Sequence, residues 1–500
     1  MSEIFTTDEA KQIEKHGLTL SEALRQLKLL RAPSPLMTLD RPCRNRDGID
    51  PISEESREQT LEDYRRAVGS GRCSQFIPAS GAASRMFQDL LRSLNAEGRE
   101  AVATRRFIDN LDRFAFADDL QKALNLNRSE SSQIRRAGRS REVLAGLLSP
   151  GGLDYAALPK GLLKFHAYGS DRRTAFEEHL VEGAEMAKDK SGRCRMHFTV
   201  SEAHLDLFRG KLNNVQQDYE ARHGVRYEIG FSVQEASTDT LSLDAEGNPA
   251  QVAEGRLLFR PGGHGSLLGN LQSCGGDLLF VKNIDNVAIE PFKAPTYHWG
   301  SLLIGKLVET QDRVFHLLDR LEDRSDAGAP SEAAFGLREL FHRCPDAEAE
   351  RDVLIDQLNR PIRICGMVPN RGEPGGGPFW VRGPGGSKSL QIVEGAHVDV
   401  DSSDQMQIFA RGTHFNPVFM ALALRDRHGE PHDLRRFVDT DSYLVTKKSD
   451  RGRDLFVLEH PGLWNGAMAG WLTIFVDLPI EIFTPVKAVE DLLRMEHQQP

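Results

Sequence analysis

The apolar positions near the start of the chain recur every three or four residues. Between residues 7 and 31 this spacing predicts a helix, whose apolar stripe consists of Leu18, Leu20, Leu24, Leu27 and Leu30. Pro33 and Pro35 end the pattern, because proline cannot continue a helix. A second, highly charged helix is predicted at 53–68, with Ser56 and Gln59 in the spacing of a capping box. Residues 98–147 are also predicted to be helical and largely polar on their surface.

Short apolar runs between turn-forming residues predict strands. The predicted strands are Cys73–Pro78, His197–Val200, Tyr227–Val233, Arg256–Phe259, Asp277–Val281, Arg363–Val368, Gln391–Val393, Gln407–Arg411 and Leu472–Val476. Helical patterns alternate with several of them, at Thr174–Lys188, Glu202–His223 and Ser266–Leu271. Alternation of strand and helix is typical of an α/β fold, so we expect a mainly parallel twisted sheet flanked by helices.

The length of the chain predicts several packed units, because 500 residues exceed one ordinary hydrophobic core. We expect a helical N-terminal extension at 1–70 and an α/β core at 71–320, with a helical insertion near 98–147. Residues 321–360 are predicted to be a linker with helices, since the composition changes at LEDRSDAGAPSEA. Residues 361–500 are predicted to form a C-terminal mixed α/β portion that completes the site.

Charge and composition narrow the classes of partner. The formal net charge of −10 argues against a nucleic-acid binder, which usually has a basic face, but it leaves room for a local phosphate pocket. The six cysteines are far apart and form no C-x-x-C pair, as is usual in the reducing cytosol. No run of 18 apolar residues occurs, and the N-terminus lacks the order of a signal peptide. The sequence therefore predicts a cytoplasmic protein without membrane or nucleic-acid partners, and it leaves the oligomeric state open.

The strongest local feature is a run of small residues after the first predicted strand of the core. The run consists of Ala79, Ser80, Gly81, Ala82, Ala83 and Ser84, and Arg85 follows it. Small residues allow backbone N–H groups to approach a ligand, and a following helix would direct its positive end toward an anion. Arg85 would add charge-assisted contacts to phosphate. Close packing of strand and helix is the alternative interpretation.

Two further segments follow predicted strands. Gly263, His264 and Gly265 come after the strand at 256–259, where glycines would let a base or sugar lie against the backbone, or would simply form a flexible turn. Asp285 follows the buried strand at 277–281, a position that suits a carboxylate holding Mg²⁺ against phosphate, or one that caps a turn.

Lysines supply the remaining charge of the candidate site. Lys160 lies beside an apolar segment and would neutralise a triphosphate, unless it is merely solvated. Lys487 follows Phe483-Thr484-Pro485-Val486 just before a predicted helix. Trp464-Asn465-Gly466 offers a stacking surface and an amide, with a tryptophan-rich core strand as the alternative.

In chain order these motifs resemble the sugar-1-phosphate nucleotidyltransferases, especially the UDP-sugar pyrophosphorylase group. The matching elements are the small-residue loop ending in Arg85, Lys160-Gly161, Gly263-His264-Gly265, Asp285-Asn286 and FTPVKAVEDLL around Lys487. The chain from residue 70 onward also resembles an uncharacterised bacterial family of unknown function. The loop departs from the pyrophosphorylase pattern, because Ala82 and Ala83 stand where glycine is usual.

The resemblance implies a GT-A-like fold and a role for each motif. Nucleotide binding is implied for Ala79, Ser80, Gly81, Ala82, Ala83, Ser84, Gly263 and His264. Catalytic roles at the phosphates are implied for Arg85, Lys160 and Lys487, and Mg²⁺ binding is implied for Asp285. Asn416 and Asn465 are the residues expected at the sugar.

The expected activity is transfer of a nucleotidyl group from a nucleoside triphosphate, UTP in the first instance, to a sugar 1-phosphate. Pyrophosphate would leave, and catalysis would consist of positioning and charge neutralisation with Mg²⁺. Two alternative functions remain open. One is a glycosyltransferase that uses a nucleotide sugar, and the other is a non-catalytic nucleotide- or sugar-binding protein of the same fold.

Overall fold

The computed structural model describes residues 4–95, 101–125, 138–252, 255–345, 349–373, 375–450 and 453–500. The helices in this described part are α1 Thr7–Lys15, α2 Leu20–Leu30, α3 Glu54–Gly69, α4 Gln88–Asn95, α5 Val102–Asp109, α6 Ala117–Ala123, α7 Ser140–Leu148, α8 Ala175–Met186, α9 Leu205–His223, α10 Leu268–Ser273, α11 Ala294–Glu322, α12 Ala329–Phe341, α13 Arg351–Leu358 and α14 Ser403–Ala410.

The strands of the same residues are β1 Thr38–Pro42, β2 Arg44–Asn45, β3 Gly48–Ile49, β4 Cys73–Pro78, β5 Lys164–Tyr168, β6 Asp171–Thr174, β7 Arg193–Val200, β8 Arg226–Val233, β9 Asp239–Leu243, β10 Phe259–Pro261, β11 Leu278–Lys282, β12 Ile362–Pro369, β13 Gly377–Arg382, β14 Lys388–Val393, β15 His414–Phe415, β16 Phe419–Ala423, β17 Leu444–Asp450, β18 Arg453–Glu459 and β19 Leu472–Asp477. The predicted α/β class, with a mostly parallel central sheet flanked by helices, is confirmed.

The chain forms two compact units, each assembled from three separate stretches. The first unit comprises Met1–Arg65, Val233–Phe280 and Leu302–Pro479, and the second comprises Arg66–Ser232, Val281–Ser301 and Ile480–Pro500. Each unit consists of residues that lie close together in space, so neither unit is one continuous segment of the sequence. The domain boundaries predicted near residues 70, 320 and 360 stay predictions.

The first unit combines parallel and antiparallel strands. Strand β12 pairs in parallel with β19 and antiparallel with β15 and β16. A second sheet has the order β10-β9-β18-β17, and a third has the order β1-β13-β14. Helices α1 and α2 pack their apolar faces on β9 and β18, where Ile13, Leu27 and Leu30 join a buried cluster with Leu241 and Leu458. The N-terminal helices are thus part of a hydrophobic core.

The second unit contains β4, β7 and β8 as neighbouring strands, and β4 runs parallel to β7. An aromatic cluster holds helices α8 and α9 to these strands. Phe176 of α8 lies 4.8 Å from Phe198 of β7, and Phe208 of α9 lies 6.2 Å from Phe231 of β8, measured between ring centroids. Such ring pairs add about 0.5–1.5 kcal/mol each beyond the area that they bury.

The strand pattern of the second unit fixes where its loops emerge. The N–H of Ile284, two residues after β11, donates to the carbonyl of Pro78 at the end of β4 (3.2 Å). The carboxyl ends of β4 and β11 therefore meet at one edge of the sheet. Ligands of α/β proteins usually bind at such an edge.

Several local predictions need correction. The helix predicted at 7–31 is two helices, because Gly17 adopts a left-handed conformation (φ +93°) and Thr19 caps a new start. Helix α3 begins at Glu54, and Ser53 Oγ accepts the N–H of Ser56 there, so the predicted capping box at Ser56 is wrong.

The strand predicted at Gln407–Arg411 is wrong as well. Ser402 caps helix α14 by accepting the N–H of Gln405, and Ile408 and Phe409 pack as a helical face against Leu39 and Phe379. In the predicted helical region 98–147, helices α5, α6 and α7 form, while 98–100 and 126–137 lie outside the described residues. No helix among the described residues combines the length and the apolar character needed to cross a bilayer.

Candidate functional site

Three charged side chains from distant parts of the sequence meet in the second unit. Lys160 Nζ donates to Asp285 Oδ2 at 2.9 Å, and Lys487 Nζ donates to the same oxygen at 3.1 Å. Lys160 also donates to the carbonyl of Val486 at 2.9 Å. We call these three residues the lysine–aspartate cluster. Residues predicted separately as phosphate and metal ligands are thus direct neighbours.

The cluster is buried on one side and open on the other. The side chains of Lys160 and Asp285 are 12% and 10% exposed, whereas that of Lys487 is 57% exposed. Burial alone would raise the pKa of Asp285, but the two ammonium groups outweigh that effect and hold the pKa below its ordinary value. Asp285 is therefore ionised at neutral pH. Its other oxygen, Oδ1, makes no hydrogen bond to any described residue.

Backbone hydrogen bonds hold the segment of Lys487 against Asp285. The N–H of Val486 donates to the carbonyl of Asp285 at 3.0 Å, and Asn286 Oδ1 accepts the N–H of Thr484 at 2.9 Å. Asp491 then accepts the N–H of Lys487 at 2.7 Å and that of Ala488 at 2.8 Å. The position of Lys487 is thus set by backbone contacts and not by its side chain alone.

The small-residue loop runs alongside this cluster. The carbonyl of Gly81 accepts the N–H of Lys160 at 3.1 Å, and the carbonyl of Met86 accepts the N–H of Val489 at 3.1 Å. The N–H groups of Ala79 and Ala83 donate to the carbonyls of Thr199 and Leu158. The loop therefore contacts both chain segments that carry the lysines.

Exposed groups without protein partners remain on this loop. Ser80, Gly81 and Ala82 are exposed, and their N–H groups donate no hydrogen bond within the described residues. The Arg85 side chain is exposed and likewise has no ion-pair or hydrogen-bond partner in that part of the chain. Successive free N–H groups beside cations form the kind of concavity that binds anions.

The helix expected directly after the loop begins later than predicted. A short 3₁₀ turn occupies Ala83–Arg85, and α4 begins only at Gln88. An anion at this loop would therefore be bound by backbone N–H groups and side chains and not by a helix N-terminus. Ala82 has an ordinary extended conformation (φ −68°, ψ 149°), so this alanine causes no backbone strain in the loop, and a Cβ at Gly81 would meet open space.

The predicted Gly-His-Gly segment belongs to the first unit. His264 Nδ1 accepts the N–H of Leu463 at 2.9 Å, and its Nε2 lies 3.7 Å from Glu394 Oε1. Asn465 Nδ2 donates to the same carboxylate oxygen at 2.6 Å. We call His264, Glu394 and Asn465 the histidine–glutamate cluster. Its imidazole and amide lower the pKa of Glu394, against the opposite effect of burial.

Close packing explains the glycines of this segment. A Cβ at Gly265 would lie 2.2 Å from the carbonyl oxygen of Pro461, and one at Gly462 would lie 2.7 Å from the His264 ring. Gly263 has a φ of +77°, a left-handed conformation that favours glycine. Tight packing thus accounts for Gly265, and nucleotide binding by Gly263 and His264 stays a prediction.

Asn416 also lies in the first unit and is buried. Its side-chain Oδ1 accepts the N–H of Val418, and its backbone N–H donates to the carbonyl of Gly376 at 2.8 Å. A Cβ on Gly376 would be 3.6 Å from Asn465 Oδ1, so both predicted sugar-binding asparagines border the same glycine. The Asn416 oxygen already serves a turn, and sugar binding by either asparagine stays a prediction.

The lysine–aspartate cluster contains one carboxylate that could bind a magnesium ion, that of Asp285. The described residues contain no group of three or more His, Cys, Asp or Glu arranged to hold a metal. Mg²⁺ in phosphate-transfer sites often has one or two carboxylates and completes its shell with phosphate oxygens and water. The unbonded Oδ1 of Asp285 fits that arrangement, with a single protein ligand.

Two carboxylates in or beside these clusters were not predicted. Asp491 accepts the N–H groups of Lys487 and Ala488, but Ala488 has no capping side chain, so the sequence carries no capping-box signal there. Glu394 directly follows β14 in a segment without a distinguishing motif, and only the fold brings it to His264.

The comparison with family models places the chain in a family. A model described as a domain of unknown function (DUF4301) matches residues 6–498, so the chain belongs to that family. This confirms the resemblance to a family of unknown function and extends it to the N-terminal helices. No curated protein sequence gives a significant match.

Solved structures that resemble the chain include UDP-sugar pyrophosphorylases. The uridine diphosphate N-acetylglucosamine pyrophosphorylase of Trypanosoma brucei, in complex with an inhibitor, is 14% identical, with a TM-score of 0.49. The match covers 98% of this chain and 79% of that one. A UDP-glucose pyrophosphorylase mutant of Leishmania major, in complex with UDP-glucose, is 12% identical, with a TM-score of 0.45, and the match covers 99% and 79%. At these values the similarity is no argument about activity, which has to come from the residues.

Proposed function

We propose that this protein transfers a nucleotidyl group from a nucleoside triphosphate, UTP in the first instance, to a sugar 1-phosphate. A phosphate oxygen of the sugar 1-phosphate attacks the α-phosphorus, and the bond from that phosphorus to the oxygen bridging the β-phosphate breaks. The products are a nucleoside diphosphate sugar and pyrophosphate. The attacking oxygen is already anionic, so the reaction needs no general base, and positioning and charge neutralisation supply the catalysis.

The observation that carries this proposal is the meeting of Lys160, Asp285 and Lys487 beside the small-residue loop. With Arg85 the site has three cationic side chains and one carboxylate, a net charge of +2, since the neighbouring Asp491 is paired with Arg494. A positive surplus beside free N–H groups suits a polyphosphate. The molecule as a whole carries a net charge of −10, so this surplus is local.

Each group then has a defined task. The N–H groups of Ser80, Gly81 and Ala82 hold phosphate oxygens, and Arg85 and Lys160 neutralise the triphosphate. Lys487, more than half exposed, contacts the α-phosphate or the sugar phosphate. Roles of Gly263 and His264 at the base, and of Asn416 and Asn465 at the sugar, rest on the sequence resemblance alone.

Magnesium is part of the proposal. Asp285 would hold the ion through Oδ1, together with phosphate oxygens, and the ion would add further neutralisation of the triphosphate when bound. The two lysines on Oδ2 keep this carboxylate ionised and fix its orientation.

The test is a screen for pyrophosphate release over the four nucleoside triphosphates and a panel of sugar 1-phosphates, with Mg²⁺ present. We expect release with at least one pair, and a loss of at least a hundredfold in Asp285→Ala. Asp404→Ala, at an exposed aspartate of α14 in the first unit, is the control that should retain activity. No release with any pair, from protein that is folded, would refute the proposed transfer.

A second candidate function is nucleotide binding without turnover. The specific observation that favours it is the occupation of Asp285 by two lysines, since ammonium groups at 2.9 and 3.1 Å repel a divalent cation. Calorimetric titration with UTP separates the two functions. Binding that neither requires Mg²⁺ nor leads to pyrophosphate release would favour the binding protein.

A further inference from the structure

The first unit contains a cavity of about 650 Å³ that has no part in the proposed transfer reaction. Helix α2, helix α10, strand β18 and the segment around Val438 form its walls. Its volume is within the range of small-molecule sites, which is about 300–1,000 Å³. All of its lining residues belong to the first unit, so the cavity is a property of that unit alone.

The lining is mostly apolar. The apolar side chains are those of Leu29, Leu268, Val438, Leu458, Pro461 and Ala467. Gly269 of α10 keeps part of the space open, because a Cβ built on it would meet no atom within 4 Å. An apolar lining of this size favours a ligand with an aliphatic or aromatic body.

Polar groups on the lining differ in whether they have partners. Arg25 is neutralised by two hydrogen bonds to Glu22, both 2.8 Å long. Arg435 is exposed and has no ion-pair partner in the described part of the chain. The buried Tyr443 hydroxyl makes no hydrogen bond there either. A guanidinium and a hydroxyl are therefore available to a ligand.

We propose that this cavity binds a small organic anion with an apolar body, whose carboxylate, sulfonate or phosphate group pairs with Arg435. The apolar body lies against Leu268, Leu458 and Ala467, and the Tyr443 hydroxyl offers a hydrogen bond. Glu235, also on the lining and exposed, carries the opposing charge and weakens anion binding. This site does not depend on the proposed transferase function.

Anilinonaphthalene sulfonate, an aromatic sulfonate whose fluorescence rises in apolar surroundings, is the probe. We expect one saturable site in the full-length protein. Gly269→Phe fills the cavity and should abolish that site, whereas Gly210→Phe should not. Gly210 is the matched control because it is also a helical glycine facing open space, in α9 of the second unit.

The charge is tested with a second set of variants. Arg435→Gln should weaken binding about tenfold or more, as expected for loss of a charge-assisted contact. Arg436→Gln, at the neighbouring exposed arginine that lines a different cavity, should leave binding unchanged. Glu235→Gln should tighten binding, because it removes the opposing charge.

Several results would overturn the proposal. Equal binding by the two glycine variants would show that the probe lies elsewhere, and equal binding by the two arginine variants would remove the anion preference. Thermal melting shows whether each variant is folded, and the exposed arginine variants keep the test valid if Gly269→Phe fails to fold. Displacement of the probe by UDP-glucose, with the same loss in Gly269→Phe, would assign the cavity to the nucleotide sugar. Failure of the pyrophosphate screen would leave this proposal untouched.

Discussion

The two lysines of the lysine–aspartate cluster should separate stability from ligand binding. Replacing Lys160 by Met removes an ammonium that is 12% exposed and that bonds both Asp285 and the carbonyl of Val486. Breaking a buried pair costs about 3–5 kcal/mol, and we expect about 3 kcal/mol here, because Lys487 still faces Asp285. Replacing Lys487, which is 57% exposed, should cost under about 1 kcal/mol of stability.

The two variants should lose similar affinity for the nucleotide, although they differ in the stability that they lose. An ammonium–phosphate contact contributes about 1.5–3 kcal/mol, so loss of either lysine should raise the Kd for UTP by about tenfold to a hundredfold. Lys487→Met is therefore the informative variant, since it should lose affinity while it stays nearly as stable as the wild type.

The assays are urea denaturation followed by circular dichroism and calorimetric titration with UTP. Lys211→Met is the control, because Lys211 pairs with the largely buried Glu177 at 2.8 Å in the same unit but is not part of the cluster. It should leave UTP affinity unchanged. The reasoning would be refuted if Lys487→Met bound UTP as tightly as the wild type, or if both cluster variants lost equal stability.

Two further predictions concern packing and pH. Gly265→Ala should destabilise the protein by about 1–3 kcal/mol or more, because its Cβ would lie 2.2 Å from the carbonyl oxygen of Pro461. Gly269→Ala, whose Cβ would meet no atom within 4 Å, should be neutral or stabilising by up to about 1 kcal/mol. Urea denaturation of both variants tests this difference. Burial lowers the pKa of His179 to about 4, so below pH 6.5 the unfolded chain binds a proton that the folded chain does not. Stability from this group is therefore complete above pH 6.5 and falls by about 3 kcal/mol as the pH approaches 4. His179→Gln, whose amide replaces the ring contact with the Ile284 carbonyl, should flatten the pH dependence of the unfolding free energy, and parallel curves for variant and wild type would contradict this.

The sequence predicted several strands of the central sheet because their apolar runs are short and bounded by turns. β4, β7, β8, β11 and β19 each overlap their predicted range. The segment at 407–411 was predicted wrongly, since a run of four or five residues fits a strand and one face of a short helix equally well. Capping by Ser402 and the packing of Phe409 stabilise the helix at these residues.

The site was predictable in its members but not in its contacts. Asp285 and the loop after β4 could be expected near each other, because the ends of neighbouring strands share one edge of a sheet. Nothing in the sequence indicates that Lys160 and Lys487 share one oxygen of Asp285, since this depends on backbone bonds between Asn286 and Thr484 and between Asp285 and Val486. The pairing of Asn465 with Glu394 is equally a product of the tertiary fold.

The charges of the lysine–aspartate cluster also say which part of a nucleotide it recognises. Ammonium, guanidinium and backbone N–H groups bind phosphate oxygens and are indifferent to the base. The surplus of two positive charges, counting Arg85, favours a chain of phosphates over a single one. If the proposed function holds, loss of Lys160 or Lys487 should therefore weaken all nucleoside triphosphates by a similar factor. Discrimination among bases and sugars must then come from residues outside the lysine–aspartate cluster.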